Sequence, residues 1–405
     1  MVKLGEPFPN FRANTTEGPI EFYNWLGNSW GILFSHPSDY TPVCTTELAR
    51  VVQLYDEFQK RSVKMIALSC DTIESHHGWI KDIKAYAKVS PDHPLPYPII
   101  ADEKRDLATE FNMIDPDEKG ADGMPLTARA VFVIDPNKKM RLSILYPATT
   151  GRNFDEILRA IDSLQLTDKH KIATPVDWKV GDDVMVQPTI PEDQMFSIFP
   201  HATIVPMPSG KRWCLFISHH LDFNSVCLTE LSKLLQMQHE FQRRNVKVIT
   251  LSCDSIDSHN RWITDIKSYS KFEHIRGLPF PIIADYNRDL SVELNIIETN
   301  NKDDFGIPLS SRATFIIDPF KKLRYLSVHA VNIGRNFDEI LRLIDALQLT
   351  NNHEVATPVN WMSGQPVLLH SKLSEDKLFV RYPNMKIERL PSGKRYMKQI
   401  PHPLR

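Results

Sequence analysis

The sequence predicts an α/β fold, present twice along one chain of 405 residues. Two observations predict it. Short apolar runs alternate with longer amphipathic stretches, which is the pattern of strands and helices taking turns. The chain also repeats itself at an unbroken offset. Cys44-Thr-Thr-Glu-Leu48 returns as Cys227-Leu-Thr-Glu-Leu231, and 227 − 44 = 183. At the same offset, Leu68-Ser69-Cys70-Asp71 returns as Leu251 to Asp254, and Pro98-Ile-Ile-Ala-Asp102 at Pro281 to Asp285. Gly151-Arg-Asn-Phe-Asp-Glu-Ile-Leu158 returns unchanged at Gly334 to Leu341. Ala173-Thr-Pro-Val176 returns at Ala356, and Pro208-Ser-Gly-Lys-Arg212 at Pro391. So long a period does not describe a solenoid; it marks two whole domains in tandem.

Within the first copy, Gly31 to Ser35 is a short apolar run and predicts a buried strand. His36 to Val43 holds two prolines, a serine and an aspartate, and reads as a loop. A helix is expected to begin near Cys44 or Thr45, because Leu48, Val51, Val52, Tyr55 and Phe58 recur at helical spacing. Val63 to Ser69 predicts a second buried strand, and Trp79, Ile80, Ile83 and Tyr86 mark another amphipathic helix. Tyr97 to Ile100, Ala130 to Ile134 and Arg141 to Leu145 predict further strands, and Phe154 to Leu164 a helix with Ile157, Leu158, Ile161 and Leu164 on one face. From about Lys171 prolines become frequent and periodicity weakens, so a smaller appended domain is expected there.

The second copy is shorter at its start. Trp30 pairs with Trp213, and Leu33 to His36 pair roughly with Phe216 to His219, while the chain before Trp213 still reads as the tail of copy one. An equivalent of about the first 29 residues is therefore missing, and the join falls near Ser209 to Trp213 without a flexible Gly/Ser linker. The expected domains are 1–168, an extension 169–212, a truncated second domain 213–350 and a second extension 351–405.

Net charge is −2 with both signs interspersed, so nothing builds the one-signed field that nucleic acid or an anionic membrane calls for. No run of about 18 apolar residues predicts a membrane span. Met1 to Asn10 has no apolar core of signal-peptide length, and the sequon at Asn14-Thr15-Thr16 is read as incidental. The five cysteines, Cys44, Cys70, Cys214, Cys227 and Cys253, are odd in number and form no Cys-x-x-Cys pair. A disulfide scaffold or structural zinc site is not expected, and a reducing, cytoplasmic setting fits best.

Cys44 stands where a loop meets a helix start. Unpaired N–H groups and the helix dipole there favour a thiolate, the species that attacks. Pro37 and Pro42 stiffen the loop, Thr41 offers a hydroxyl, and Arg129, just before a strand, offers a permanent positive charge. Taken alone, these features leave two readings open, a reactive thiol and a small buried hydrophobe.

Pro37-Ser-Asp-Tyr-Thr41-Pro-Val-Cys44 resembles the peroxiredoxin active-site motif Pro-x-x-x-Thr-x-x-Cys. Ser35-His36-Pro37, Val43 to Leu48, Pro98 to Asp102, Thr127-Ala-Arg129 and Tyr146 to Leu158 resemble its 1-Cys branch, the peroxiredoxin-6 type. The resemblance runs from about residue 3 to residue 212 and then over the truncated copy. It implies two thioredoxin-like domains, each with a small C-terminal extension, and no metal or organic cofactor. It implies that Cys44 attacks the peroxide O–O bond and becomes a sulfenic acid. Thr41 and Arg129 would orient the peroxide and steady the charge on the leaving oxygen, and Pro42 would shield the thiolate. His36 matches the family's histidine near the sulfur; a proton-handling role and a structural one both stay open. No resolving cysteine in a Val-Cys-Pro context is present, and Cys70, closing a strand, is expected to be buried. The implied reductant is thus an external thiol such as glutathione, delivered by a glutathione transferase. An intrachain pseudo-dimer of the two copies is expected.

The sequence also departs from the family pattern. Members of this branch are credited with a phospholipase activity using His, Ser and Asp; here Ser29 remains, but the histidine position is Tyr23 and the aspartate position Asn137. In the second copy Cys227, Arg312 and His219 are kept, whereas Pro37 becomes His220, Thr41 becomes Asn224 and Pro42 becomes Ser225. Arg312 is expected to sustain a thiolate at Cys227 in an impaired site. The competing readings are a redox relay and, above all for the second copy, a non-catalytic scaffold.

Overall fold

The computed structural model describes residues 2–120, 123–169, 172–182, 184–186, 212–303, 306–369 and 375–403. Of the expected join, Ser209, Gly210 and Lys211 lie outside these residues. In chain order the first copy gives β1 (Arg12–Thr15), β2 (Gly18–Glu21), α1 (Phe22–Leu26), β3 (Trp30–Ser35), α2 (Pro42–Gln53), α3 (Tyr55–Lys60), β4 (Val63–Ser69), α4 (Ile73–Ala87) and β5 (Ile99–Ala101). It continues with α5 (Asp106–Glu110), β6 (Ile114–Lys119), β7 (Pro125–Thr127), β8 (Arg129–Ile134), β9 (Met140–Tyr146), α6 (Phe154–Lys169), β10 (Ile172–Ala173) and β11 (Met185–Val186). The second copy opens with β12 (Trp213–Ser218), α7 (Ser225–Gln236), α8 (Gln238–Arg243), β13 (Val246–Ser252), α9 (Ile256–Ser270) and β14 (Ile282–Ala284). Then come α10 (Asp289–Glu293), β15 (Ile297–Lys302), β16 (Pro308–Ser310), β17 (Arg312–Ile317), β18 (Leu323–His329) and α11 (Phe337–Asn352). The chain closes with β19 (Val355–Ala356), β20 (Val367–Leu369), α12 (Glu375–Arg381), β21 (Lys386–Ile387) and β22 (Lys398–Ile400).

The compact units do not follow chain order. One joins Met1–Leu158 with Arg342–Arg405; the other is Arg159–Leu341. The boundary falls inside α6 and α11, so each helix leaves one unit and carries the following extension into the other.

In the first unit the strands run β9-β8-β3-β4-β5-β1-β2. The β3, β4 and β5 strands are parallel, with Trp30 opposite Val63 and Ser35 opposite Leu68, and β8 runs antiparallel to β3. All six residues of β3 and of β8 are buried, because helices cover both faces of a central sheet. The short β1–β2 hairpin, which no sequence pattern flagged, extends the sheet beyond β5 through Thr15 and Ile100. Its neighbour Phe8 packs on Phe111 and Phe132, Phe11 packs on Phe111, and Phe22 packs on Phe8 and Phe11. Residues 342–405 add a small sheet, β19-β20-β22-β21, over a core that includes Leu349, Trp361, Val367 and Ile400. They join the rest of the unit closely: Gly151 N donates to the Thr357 carbonyl at 3.0 Å. A Cβ on Gly151 would run into the Pro358 carbonyl, so only glycine fits there.

The second unit holds β14-β13-β12-β17-β18 in the same relative directions. With no counterpart of β1 among the described residues, β14 stands at the edge, and its three residues are only half-buried where Ile99 and Ile100 are fully buried. Here too an extension is fastened, by Gly334 N to the Thr174 carbonyl at 3.0 Å and by Phe337 N to Asp177 Oδ1 at 2.7 Å. No described helix is long and apolar enough to cross a membrane.

Candidate active site

The helix carrying Cys44 begins at Pro42, two or three residues before the expected start. The loop's prolines read as breakers, yet proline suits the first helical position, where its missing N–H is no loss. Tyr40, at φ +52°, turns the chain so that Thr41 becomes the N-cap residue. Thr45 N donates to the Thr41 carbonyl at 3.0 Å and closes the first turn. Cys44 therefore lies within that turn, fully buried.

Arg129, the first residue of β8, aims Nη1 at Cys44 Sγ from 3.3 Å and at Glu47 Oε2 from 2.7 Å. Its Nε and Nη2 both donate to the Ala148 carbonyl, at 2.9 and 2.6 Å. Glu47, one turn beyond Cys44, is itself gripped by Arg152 through its backbone N (2.8 Å), Nε (3.0 Å) and Nη2 (2.7 Å). Burial pushes the Glu47 carboxyl up, but Arg129 and Arg152 hold it below the usual carboxylate range. Burial likewise works against the Arg129 charge, and Cys44 and Glu47 more than offset it. The result is a fixed positive charge beside the sulfur, oriented by a buried anion. Sequence reasoning missed Glu47 and Arg152 as site residues. Their signal was present: both recur at the 183-residue offset, as Glu230 and Arg335.

The Thr41 hydroxyl donates to the Ser38 carbonyl at 2.8 Å, which leaves its lone pairs to accept. Pro42 is half-buried beside it. The contacts of His36 go elsewhere: Nε2 meets Asp39 Oδ1 at 3.0 Å, and the ring packs on Trp79 at 5.1 Å. His76 Nδ1 takes the other Asp39 oxygen at 2.8 Å. Burial pushes the Asp39 carboxyl up, but His36 and His76 hold it well below the usual carboxylate range, and burial pushes the His36 imidazole down despite Asp39. These contacts are those of an anchor for the loop. His36, Asp39 and His76 lie close enough to share a metal ion, as do His219, Asp222 and His259; in each group the two histidines bond the shared carboxylate, while His36 Nδ1, His219 Nδ1 and His259 Nε2 are buried without a partner. Cys70, expected to be buried, is half-buried just past the end of β4, because the strand stops one residue before it. None of the five cysteines forms a disulfide.

The second unit repeats the arrangement with one change of consequence. Arg312 Nη2 approaches Cys227 Sγ at 3.3 Å and Nη1 reaches Glu230 at 2.7 Å, while Arg335 grips Glu230 in turn. Asn224, however, caps its own helix: Oδ1 accepts from Cys227 N and from Arg312 Nη2, each at 3.1 Å. The acceptor that Thr41 leaves open is occupied here. Burial pushes the Cys227 thiol up in spite of Arg312. His220, in place of Pro37, is pushed down to about 4 by burial and by Arg312, so it is neutral at pH 7.

A buried thiol at a helix start, paired with an arginine across a thioredoxin-like sheet, belongs to cysteine-based peroxide chemistry. Comparison with known proteins agrees. The AhpC/TSA family model matches residues 4–143 and 205–326, more than half of the chain. The model for the C-terminal domain of 1-Cys peroxiredoxin matches 163–196 and 346–383. The chain is 60% identical to peroxiredoxin-6 of Gallus gallus and 61% identical to that of Bos taurus, each over 211 residues, 52% of this chain and 94% of the relative. A solved cysteine-to-serine mutant of the peroxiredoxin 6 of Arenicola marina is 57% identical over 52% of this chain and 95% of its own, with a TM-score of 0.46. The chain belongs to the AhpC/TSA peroxiredoxin family, in its 1-Cys branch, as a tandem duplication with a truncated second copy. It is a thiol peroxidase.

Proposed function

We propose that peroxide reduction is carried by Cys44, on the single observation that Arg129 Nη1 stands 3.3 Å from its sulfur in the first turn of α2. The thiolate attacks one peroxide oxygen. The S–O bond forms as the O–O bond breaks, the leaving oxygen takes up a proton, and Cys44 is left as a sulfenic acid. Thr41 accepts a hydrogen bond from the bound peroxide, Arg129 stabilises the charge moving onto the leaving oxygen, and Pro42 keeps the loop stiff and dry. His36 anchors the loop through Asp39. An external thiol then displaces water from the sulfenic acid, and a second thiol frees Cys44 from the mixed disulfide. Glutathione, delivered by a glutathione transferase, fits this role, in a cytoplasmic setting and without a metal, organic cofactor or nucleic acid. Domain limits at 1–168, 169–212, 213–350 and 351–405 and an intrachain pseudo-dimer complete the proposal. For the second copy, the occupied Asn224 oxygen favours a scaffold or relay over turnover at Cys227 with Arg312.

The test is steady-state peroxide turnover with glutathione. Cys44→Ser is expected to remove nearly all activity, since a serine hydroxyl at neutral pH is no nucleophile towards peroxide. Arg129→Ala is expected to slow attack about a hundredfold or more by removing the fixed charge. Retention of half the wild-type turnover by Cys44→Ser would place the chemistry on another cysteine.

A further inference from the structure

The unit that holds Cys44 also holds residues 342–405, from the far end of the chain. Two residues of that segment converge on one carboxylate of α4. The Tyr396 hydroxyl donates to Asp82 Oδ2 at 2.9 Å, and Ser392 N donates to Asp82 Oδ1 at 2.6 Å. Asp82 is fully buried, so both of its oxygens are taken by the C-terminal segment. With its proton on Asp82, Tyr396 presents an acceptor to Thr45, the residue after Cys44. Thr45 Oγ1 lies 3.2 Å from the Tyr396 oxygen and 2.9 Å from the Thr41 carbonyl, and it accepts from Trp79 Nε1 at 3.1 Å. Leu390, Tyr396 and Met397 also pack on Val43, with Tyr40 against them. Both residues flanking Cys44 are thus in contact with the end of the second copy.

The second unit provides the internal control. At the 183-residue offset Thr45 becomes Leu228, which has no hydroxyl. The counterpart of Trp79 is Trp262, whose Nε1 is buried with no hydrogen-bond partner. The counterpart of Asp82 is Asp265, which is exposed, and that of Tyr40 is Phe223, 50% exposed. The counterpart of Tyr396 is Trp213 (396 − 183 = 213), which is built into β12 opposite Val246. The repeat therefore cannot place an equivalent tyrosine over Cys227, and the hydroxyl of Thr45 is lost with it.

We infer that Tyr396, held by Asp82, is a positioning residue for Cys44, so that the end of the degenerate copy completes the reactive site of the other. The inference rests on the reading of Cys44 as the attacking thiol. Tyr396 gives the Thr45 proton a second acceptor and sets the first turn of α2, while its ring, with Leu390 and Met397, closes the loop side against water. A buried group that both orients a backbone turn and excludes solvent acts on the reacting atom without touching it.

The experiment uses the full chain in a Cys227→Ser background, with Tyr396→Phe, Thr45→Val and the double variant. Two quantities are read at Cys44: the stopped-flow rate constant for oxidation by hydrogen peroxide, and the pH at which alkylation by iodoacetamide is half-maximal. Each single variant is expected to slow oxidation about threefold to tenfold and to move the alkylation midpoint upward. The double variant is expected to match the slower single variant within about twofold, because both changes cut the same relay. Oxidation and alkylation within about twofold of wild type in Tyr396→Phe, or effects that multiply in the double variant, would overturn the inference. Tyr396→Phe keeps the ring and the fold. Alkylation of Cys214 and Cys253 in the same samples is expected to stay at wild-type rates; an equal change there would mean general loosening and overturn the inference too. Peroxide turnover by Cys44→Ser would instead sink the reading of Cys44, while the alkylation midpoint, which needs no turnover, would still judge the clamp.

Discussion

Arg129 divides its donors among Cys44, Glu47 and the Ala148 carbonyl, and each contact restricts where its charge can sit. Side-chain chemistry at Tyr23 and Asn137 bears on a lipase activity. A serine hydrolase needs a base for the hydroxyl proton and a group to orient that base. At the base position the Tyr23 hydroxyl donates to the Phe8 carbonyl, and burial pushes its phenol up. Asn137 is exposed and carries no charge. No Ser29-dependent release of fatty acid from phosphatidylcholine vesicles is expected; release that Ser29→Ala abolishes would refute this. Histidines make a second prediction at this scale. Burial, followed by Arg335, pushes His329 down to about 3, and burial with Arg312 pushes His220 down to about 4. Both lie below the ordinary value near 6.5, so the unfolded chain takes up protons first as pH falls. Each group then costs stability, about 1.4 kcal/mol per pH unit, from about pH 6.5 down to its folded value. The urea midpoint of the second unit is expected to drop between pH 7 and pH 4.5, less steeply in His329→Leu. A flat midpoint would show these histidines to be protonated without cost.

At the scale of the element, α2 and α7 are the same helix started in two ways. Thr41 caps with its backbone and keeps an acceptor open, whereas Asn224 spends its side-chain oxygen on Cys227 N and Arg312. Proline at position 42 pre-sets the first turn, while Ser225 leaves it looser. Cys227 is therefore expected to react with hydrogen peroxide at least about tenfold more slowly than Cys44, compared by stopped flow in Cys44→Ser and Cys227→Ser. Asn224→Thr with Ser225→Pro is expected to recover part of the difference. Equal rate constants in the two parent variants would mean that Thr41 and Pro42 matter less than their geometry indicates.

At the scale of the whole molecule, each compact unit draws on both copies, since residues 342–405 share a unit with 1–158. Fusion raises the effective concentration of one copy for the other to roughly millimolar when the join spans the geometry. Sedimentation is accordingly expected to report the mass of one chain; a mass of two chains would count against an intrachain pairing. Much of this protein was readable before folding. Local periodicity located β3, β4, α4 and β8, because burying one face imposes a pattern on consecutive residues. The repeat and the motif around Thr41 and Cys44 brought out the fold class, the thiol and Arg129, because those constraints act on short stretches or identical copies. Other features left no local trace. Glu47 and Arg152 meet only when α2 and the segment before α6 pack together, across 105 residues of chain. Tyr396 meets Asp82 across 314 residues. The exchange of the extensions turns on the close approach of Gly151 to Pro358 and of Gly334 to Pro175, where a missing Cβ is visible in the sequence but the backbone that needs its space is not. Pattern along a chain reports which face is buried; which distant groups share that burial, and so which charges and protons must be matched, is settled only by packing.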